Sequence, residues 1–156
     1  MERTDSKVEI KFSPIAYRAL NARQKEAFNF QKVSAVLADY GYITIRLSSD
    51  WGGADFIAQH RDGEFLKVQL KGRLTFDKKY EGFGLHICFP ERDGWFIYPH
   101  DELLQMIMTE TGIAESDSWK VNGGYSFPTL SKQLRSMLKP YRLAAEKARG
   151  IESSNL

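Results

Sequence analysis

Two short runs of sequence decide the fold: residues 52–58 read Gly-Gly-Ala-Asp-Phe-Ile-Ala, and residues 65–71 read Phe-Leu-Lys-Val-Gln-Leu-Lys. The first run begins with two glycines, which favour a turn, and continues as an apolar strand that opens on Asp55. In the second run apolar and polar residues alternate, so Gln69 and Lys71 share one face of a strand. The sequence therefore predicts that an acid, an amide and an ammonium group meet on two neighbouring strands.

A tight turn is predicted to join these two strands. Residues 60–63 read His-Arg-Asp-Gly, and Asp-Gly favours a hairpin turn of the primed type. The strands are expected over residues 54–59 and 64–71. Alternation in the second strand predicts one buried face and one face that carries the polar groups. The buried face would consist of Leu66, Val68 and Leu70, and the other of Phe65, Lys67, Gln69 and Lys71.

The elements before the motif follow from the spacing of apolar residues. A helix is predicted from the N-cap Asn21 to the stop at Gly41, because apolar residues recur every three or four positions between them. A strand is expected over residues 42–47 and a turn over 48–53. The apolar positions of the helix are Ala27, Phe30, Val33, Leu37 and Tyr40.

The elements after the motif predict an α/β (α+β) fold, in which helices flank a mixed sheet of about five strands. Residues 74–83 are expected to form a loop, residues 113–129 to be irregular, and the leucines of the last segment to mark a basic helix over about 130–149. Two more strands are predicted over 85–89 and 94–98, and a helix over about 100–111.

The composition is that of one globular domain of 156 residues, with 42% hydrophobic and 27% charged residues and an expected short disordered tail at 150–156. No apolar run approaches the roughly 20 residues that cross a bilayer. The first residues lack the apolar core of a signal peptide. Because Cys88 is the single cysteine, neither an internal disulfide nor a cysteine-rich zinc site is possible, and a cytoplasmic location is expected.

The charge is unevenly distributed, although the net charge is only +2. Residues 1–32 carry seven Lys and Arg against four Asp and Glu, and residues 130–149 carry six against one. The middle of the chain is acidic, with nine basic residues against fourteen acidic ones. Basic flanks fit a polyanionic partner, and an ordinary solvated helix face fits them equally well.

The three polar groups of the motif suit hydrolysis of a phosphodiester. Mg²⁺ prefers oxygen ligands, usually one or two carboxylates completed by water and phosphate oxygens. Asp55 offers an anionic oxygen and the Gln69 amide a neutral one. The Lys71 ammonium group would stabilise negative charge in the transition state or orient the attacking water. The plainer alternatives are that Asp55 caps a turn and that Gln69 and Lys71 lie on a solvated strand face.

Gly-Gly-Ala-Asp followed by Val-Gln-Leu-Lys resembles the PD-(D/E)xK, or restriction-endonuclease-like, nuclease superfamily, most strongly over residues 26–98. The resemblance implies a core, over about 21–111, of a helix, a three-stranded meander, and a further helix and strand. It implies a Mg²⁺-dependent endonuclease, with Mn²⁺ able to substitute, that acts on double-stranded or branched DNA. A homodimer is expected, since cutting both strands commonly requires two sites.

The resemblance assigns site residues position by position. The metal-binding acid of the family falls on Asp55, the acidic place of the signature on Gln69 and its lysine on Lys71. An additional acid from the first helix falls on Glu26, with Asn29 or Gln31 as alternatives for that place. These residues are the expected catalytic group, and Asp55, Gln69 and Glu26 the expected metal ligands.

The chain departs from the family pattern at two places. Ala54 stands where a proline usually precedes the acid, and Gln69 replaces an acid, which removes one negative charge. The glutamine is similar to the Gln-x-Lys signature of Mrr-type restriction endonucleases. Arg46 and Ser48 resemble basic and hydroxyl residues of archaeal Holliday-junction resolvases.

DNA contacts are expected from two further groups of residues. Trp51 precedes the acid in the predicted turn and Arg73 follows the signature. Four basic residues recur at helical spacing in the predicted last helix, away from its leucines, as in a surface that tracks phosphates. These four are Lys132, Arg135, Lys139 and Arg142. Three functions therefore compete: an endonuclease, a nucleic-acid-binding protein without catalysis, and an interaction protein without a nucleic-acid role.

Overall fold

The computed structural model describes residues 9–144, apart from the side chain of Asp50. Residues 9–16 form no helix or strand. The helices are α1 (Ala22–Asp39), α2 (His100–Glu110) and α3 (Lys132–Leu138). The strands are β1 (Tyr42–Trp51), β2 (Ala54–His60), β3 (Phe65–Leu70), β4 (Thr75–Asp77), β5 (Leu85–Glu91), β6 (Gly94–Pro99), β7 (Gly124–Ser126) and β8 (Arg142–Ala144).

Six strands form one mixed sheet in the order β1-β2-β3-β5-β6-β8, and β4 and β7 pair separately. Within the large sheet β3 and β5 run parallel, whereas the other neighbours are antiparallel. The expected α+β fold class is confirmed, and so is the helix followed by a three-stranded meander. The sheet has six strands rather than about five, because the chain after α3 adds β8 to its edge.

Helix α1 covers one face of the sheet. Its N-terminus is stabilised by a capping box between Asn21 and Gln24, as the sequence predicts for Asn21. Gly41 has a φ of +83°, the left-handed conformation that commonly ends a helix. The helix buries Val33, Val36 and Leu37 against the sheet residues Phe56, Ala58 and Val68.

The other face of the sheet carries the second part of the core. Leu85 and Ile87 of β5 and Tyr98 of β6 pack there against Leu103 and Ile107 of α2. The paired residues Lys67 and Leu85, and Gln69 and Ile87, place the polar residues of β3 on this same face. Val68 is fully buried on the α1 face, with Leu66 and Leu70 packed beside it, so the predicted alternation of β3 is confirmed.

Two predicted turns differ from the structure. Strand β1 continues through residues 48–51, so the predicted turn is reduced to Gly52 and Gly53. The hairpin between β2 and β3 closes through hydrogen bonds from the Gly63 N–H to the His60 carbonyl and from the His60 N–H to the Glu64 carbonyl. Only Gly63 of its loop has a positive φ, at +92°. The turn is therefore an ordinary one followed by a left-handed glycine, and the primed type was wrong.

Three segments expected to be irregular or helical are ordered differently. Residues 74–83 contain β4 and a 3₁₀ turn, Lys78–Tyr80. Residues 113–129 contain two short helical turns and β7. The helix expected over 130–149 ends at Leu138, and Pro140 lies in the 3₁₀ turn that follows. Residues 145–149 and the predicted tail at 150–156 lie outside the described residues. In the part of the chain that is described, no helix is long and apolar enough to span a bilayer.

Candidate active site

Asp55, Gln69 and Lys71 come together at one end of the sheet. Phe56 pairs with Val68 in the antiparallel β2–β3 ladder, which places Asp55 beside Gln69 on the neighbouring strand. The Leu70 N–H donates to Asp55 Oδ2 at 2.8 Å. All three side chains line one cavity of about 530 Å³. The structure therefore brings these three side chains together, as strand alternation and pairing predict.

The Gly52-Gly53 turn forms one border of this cavity. Both glycines have positive φ, +60° and +86°, as a primed two-residue hairpin turn requires. A Cβ on Gly53 would lie 3.0 Å from the Leu85 side chain and 3.2 Å from the Tyr80 ring. The turn thus packs against the opposite wall, and its backbone approaches more closely than any larger residue would permit.

A large bulge in β1 lies next to Asp55. Arg46 pairs with Phe56 and Trp51 pairs with Ala54. Between these two pairs, residues 47–50 of β1 therefore lie opposite a single residue of β2, Asp55. Such bulges interrupt the ladder and redirect side chains beside functional sites, and this one lies where the acid enters the cavity.

The opposite wall comes from the segment between β4 and β5, most of it within residues 74–83, for which the sequence predicts a loop. Lys79, Tyr80 and Phe83 line the cavity from this side. The ammonium groups of Lys71 and Lys79 lie 5.4 Å and 5.1 Å from the centre of the Tyr80 ring. In the sequence, the feature that could have indicated this wall is the run Lys78-Lys79-Tyr80, which is basic and aromatic and follows the signature closely.

His100 holds that wall in place from the core. The side chain is fully buried, and its Nε2 accepts from the Asp77 N–H at 3.1 Å. The ring proton is then on Nδ1, 2.8 Å from Asp101 Oδ1. Asp101 Oδ2 accepts from the Gly82 N–H at 2.9 Å. His100 and Asp101 thus fix both ends of the segment that carries Lys79 and Tyr80.

The stability of this wall depends on pH through the carboxyl group of Asp101. Burial alone would raise the pKa of Asp101, but hydrogen bonds from His100 and the Gly82 N–H outweigh it, so the pKa lies below its usual value. Stabilisation from Asp101 is therefore present above the ordinary carboxyl pKa and is lost as pH falls through the lowered value.

Asp101→Asn is expected to lower the free energy of unfolding by about 1 kcal/mol at pH 7, a modest value because solvent screens this partly exposed group. The loss should shrink as pH falls, since the wild-type carboxylate then becomes protonated. Urea unfolding at a series of pH values between 7 and 2 measures this. Asp117→Asn, which alters an exposed side chain that is in none of the ion pairs between described residues, serves as the control. A loss that is the same at every pH would contradict the assignment.

The structure separates Glu26 from the acid of the motif. Glu26 and Asn29 line a neighbouring cavity of about 250 Å³, which also borders Lys71. That cavity lies towards α1, whereas Asp55 and Gln69 lie on the other face of the sheet. Gln31 is exposed and lines neither cavity. Glu26 and Asn29 therefore approach the site only through Lys71.

The other residues expected to bind DNA are scattered around the motif. Arg46 lies over the Phe30 ring at 5.7 Å on the α1 face, and Ser48 is exposed within the bulge. Trp51 is 60% exposed beside the glycine turn. Arg73 is exposed just beyond the signature.

The predicted basic stripe does not exist as one helix face. Lys132 and Arg135 are in α3, Lys139 is in the following 3₁₀ turn and Arg142 is in β8. Arg135 forms an ion pair with Glu91. Arg142 forms another with Asp93 at 2.9 Å and lies over the Phe96 ring at 5.1 Å. These two arginines bind the hairpin between β5 and β6, which leaves Lys132 and Lys139 as the exposed cations of the set.

The donor set of the cavity suits a weakly held cation. Among the described side chains, which do not include that of Asp50, no group of three or more His, Cys, Asp and Glu is arranged to hold a metal. Asp55 supplies one carboxylate. The Gln69 Nε2 donates to the Leu70 carbonyl at 3.4 Å, which leaves Oε1 as the amide atom for a cation. Mg²⁺ commonly keeps several waters and takes phosphate oxygens from its substrate, so these residues fit it.

No protein-family model matches the chain, and no curated protein matches it. Among solved structures, the chain is similar to Hjc, a Holliday junction resolvase from the archaeal hyperthermophile Archaeoglobus fulgidus. The identity is 19%, the similarity covers 49% of this chain and 76% of that one, and the TM-score is 0.36. A similarity this low does not assign a function, so the proposals below depend on the geometry of the site.

Proposed function

We propose that the chain is a metal-dependent DNA endonuclease of the PD-(D/E)xK type with a Gln-x-Lys signature, and that it cuts double-stranded or branched DNA. The observation that carries this proposal is the convergence of Asp55, Gln69 and Lys71 on one cavity. Their order and spacing along the two strands are those that the resemblance assigns to metal binding and transition-state stabilisation.

Each of the three side chains has a distinct role in this proposal. Asp55, oriented by the Leu70 N–H, and the Gln69 carbonyl would hold a Mg²⁺ or Mn²⁺ ion. Such an ion would supply activation of water and neutralisation of charge on the phosphodiester. No ion pair between the described residues includes Lys71, so its ammonium group, placed over the Tyr80 ring, is available to the charge that develops on phosphorus.

The direct test is a cleavage assay with plasmid DNA and a four-way junction in Mg²⁺, in Mn²⁺ and in excess chelator. Cleavage is expected with either metal and none with chelator. Cleavage that persists in chelator would contradict the proposal. Analytical ultracentrifugation of the protein with and without junction DNA tests the proposed homodimer, for which a dimer mass is expected on the junction.

Gln69→Glu is expected to tighten Mn²⁺ binding about tenfold, because it adds a negative charge beside Asp55, the one carboxylate that the described side chains bring to this cavity. Calorimetric titration with Mn²⁺ measures the change. Gln59→Glu is the matched control, since Gln59 is exposed on the same face of the neighbouring strand. Equal Mn²⁺ affinities for the two variants would show that position 69 does not contact the ion.

A second function is a nucleic-acid-binding protein in which catalysis is weak or lost. The described side chains favour it, since Asp55 is the one carboxylate that they bring to the cavity and they form no acidic cluster. This alternative predicts DNA binding that weakens steeply with salt, and no cleavage in either metal.

The cytoplasmic location remains a prediction.

A further inference from the structure

Two further cavities adjoin the site cavity around the end of the sheet. A second cavity of about 250 Å³ shares Lys71 with the site. A third, of about 510 Å³, shares Asn29 and Gly72 with the second. The three cavities therefore follow one another from the glycine turn, past the end of β3, to the space between α1 and the hairpin joining β5 and β6.

The third cavity, the far cavity, has aromatic walls and a few polar groups. Tyr17, Phe28 and Trp95 line it together with Asn29 and Asp93. The Tyr17 and Phe28 rings lie 5.3 Å apart and are tilted by 59°. Asn29 Nδ2 donates to the Tyr17 hydroxyl at 2.9 Å, which fixes the Tyr17 ring at the entrance. A flat ligand with a hydrogen-bonding edge fits such walls.

Three basic side chains lie at the same cavity, which the acidic Asp93 also lines and where Arg92 pairs with Glu91 at 3.8 Å. Lys25 lies 5.3 Å from the centre of the Tyr17 ring, and Lys32 lies 5.2 Å from that of Phe28. Arg92 lines the cavity with a side chain that is 72% exposed. Its φ of +55° is the one positive value among the described residues other than glycine, in the two-residue turn that joins β5 and β6. A polyanion that carries flat aromatic groups matches this combination of rings and cations.

We infer that the far cavity binds an unpaired nucleobase of the DNA whose backbone passes Lys71. This inference rests on the proposed function, which identifies the bound polymer as DNA. A base inside a duplex cannot reach such a cavity, because its faces are covered by its neighbours, whereas a single-stranded or splayed base stacks on exposed aromatic rings. The cavity would therefore direct the site to DNA with an unpaired segment next to the scissile bond.

The test uses a duplex with a single-stranded extension that contains 2-aminopurine, and the same sequence fully paired, both in excess chelator so that nothing is cut. The wild-type protein should quench the 2-aminopurine fluorescence of the extension and bind it more tightly than the paired duplex. Tyr17→Leu and Phe28→Leu, which keep apolar bulk but remove a ring, should weaken binding of the extension about tenfold. Their affinity for the paired duplex should not change.

Phe65→Leu is the matched control, because Phe65 is 57% exposed and lines none of the three cavities. It should behave as the wild type. Unchanged affinity and quenching in both Tyr17→Leu and Phe28→Leu would overturn the inference, as would an absence of DNA binding altogether. If Asp55→Asn still cleaves DNA while Tyr17→Leu no longer binds the single-stranded extension tightly, the assignment of the nuclease site is wrong and the assignment of the base-binding cavity is supported.

Discussion

Asp55→Asn is expected to lower the rate of DNA cleavage about a thousandfold, since removing one group that stabilises transition-state charge costs roughly 10² to 10³ in rate. The change removes the anionic ligand of the cavity but keeps an oxygen that accepts from the Leu70 N–H. The fold should therefore persist while cation binding is lost. Single-turnover cleavage of a labelled junction at saturating protein measures the effect.

Lys71→Met should show a loss of the same order, because it removes the ammonium group and keeps the length of the side chain. Asp62→Asn is the matched control for Asp55. It alters an exposed carboxylate in the turn at the other end of β2, so its cleavage rate should equal that of the wild type. Wild-type rates in both Asp55→Asn and Lys71→Met would contradict the assigned site.

His100→Ala is expected to reduce the free energy of unfolding by about 3 kcal/mol, because it opens a cavity and leaves the part-buried Asp77 N–H without its acceptor. The side chain is fully buried, and the Phe76 and Tyr80 rings pack against it. Cleavage should also fall, since Lys79 and Tyr80 lose their anchor. Urea unfolding and the junction assay measure the two effects.

His60→Ala is the control for His100. His60 lies at the far end of β2, where its ring packs against Tyr42, and its side chain is 24% exposed. The loss of stability should be smaller and cleavage per folded molecule unchanged. A loss in His100→Ala no larger than in His60→Ala would mean that His100 does not hold the site wall.

The part of the site that local pattern determines was predictable from the sequence. Strand alternation alone places Gln69 and Lys71 on one face and Val68 on the other, and pairing with β2 then brings Asp55 to them. The limits of α1 follow from Asn21 and Gly41, whose roles depend only on nearby backbone groups.

The features of the site that were not predicted from the sequence depend mostly on contacts between residues far apart in the chain. Arg135 and Arg142 looked like free cations of one helix, but their partners, Glu91 and Asp93, lie more than 40 positions earlier. The wall with Tyr80 is fixed by His100, on a different element. The turn at Gly63 differs for a local reason, because one left-handed glycine after an ordinary turn closes the hairpin as well as a primed turn would.

A crystal structure of the protein soaked with Mn²⁺, with the ion located by its anomalous scattering, shows whether Asp55 and Gln69 bind a divalent cation. We expect an ion in the cavity, bound by an Asp55 carboxylate oxygen and Gln69 Oε1 and completed by water. An ion bound elsewhere, such as at Glu26, or an empty cavity at millimolar Mn²⁺, would contradict this expectation.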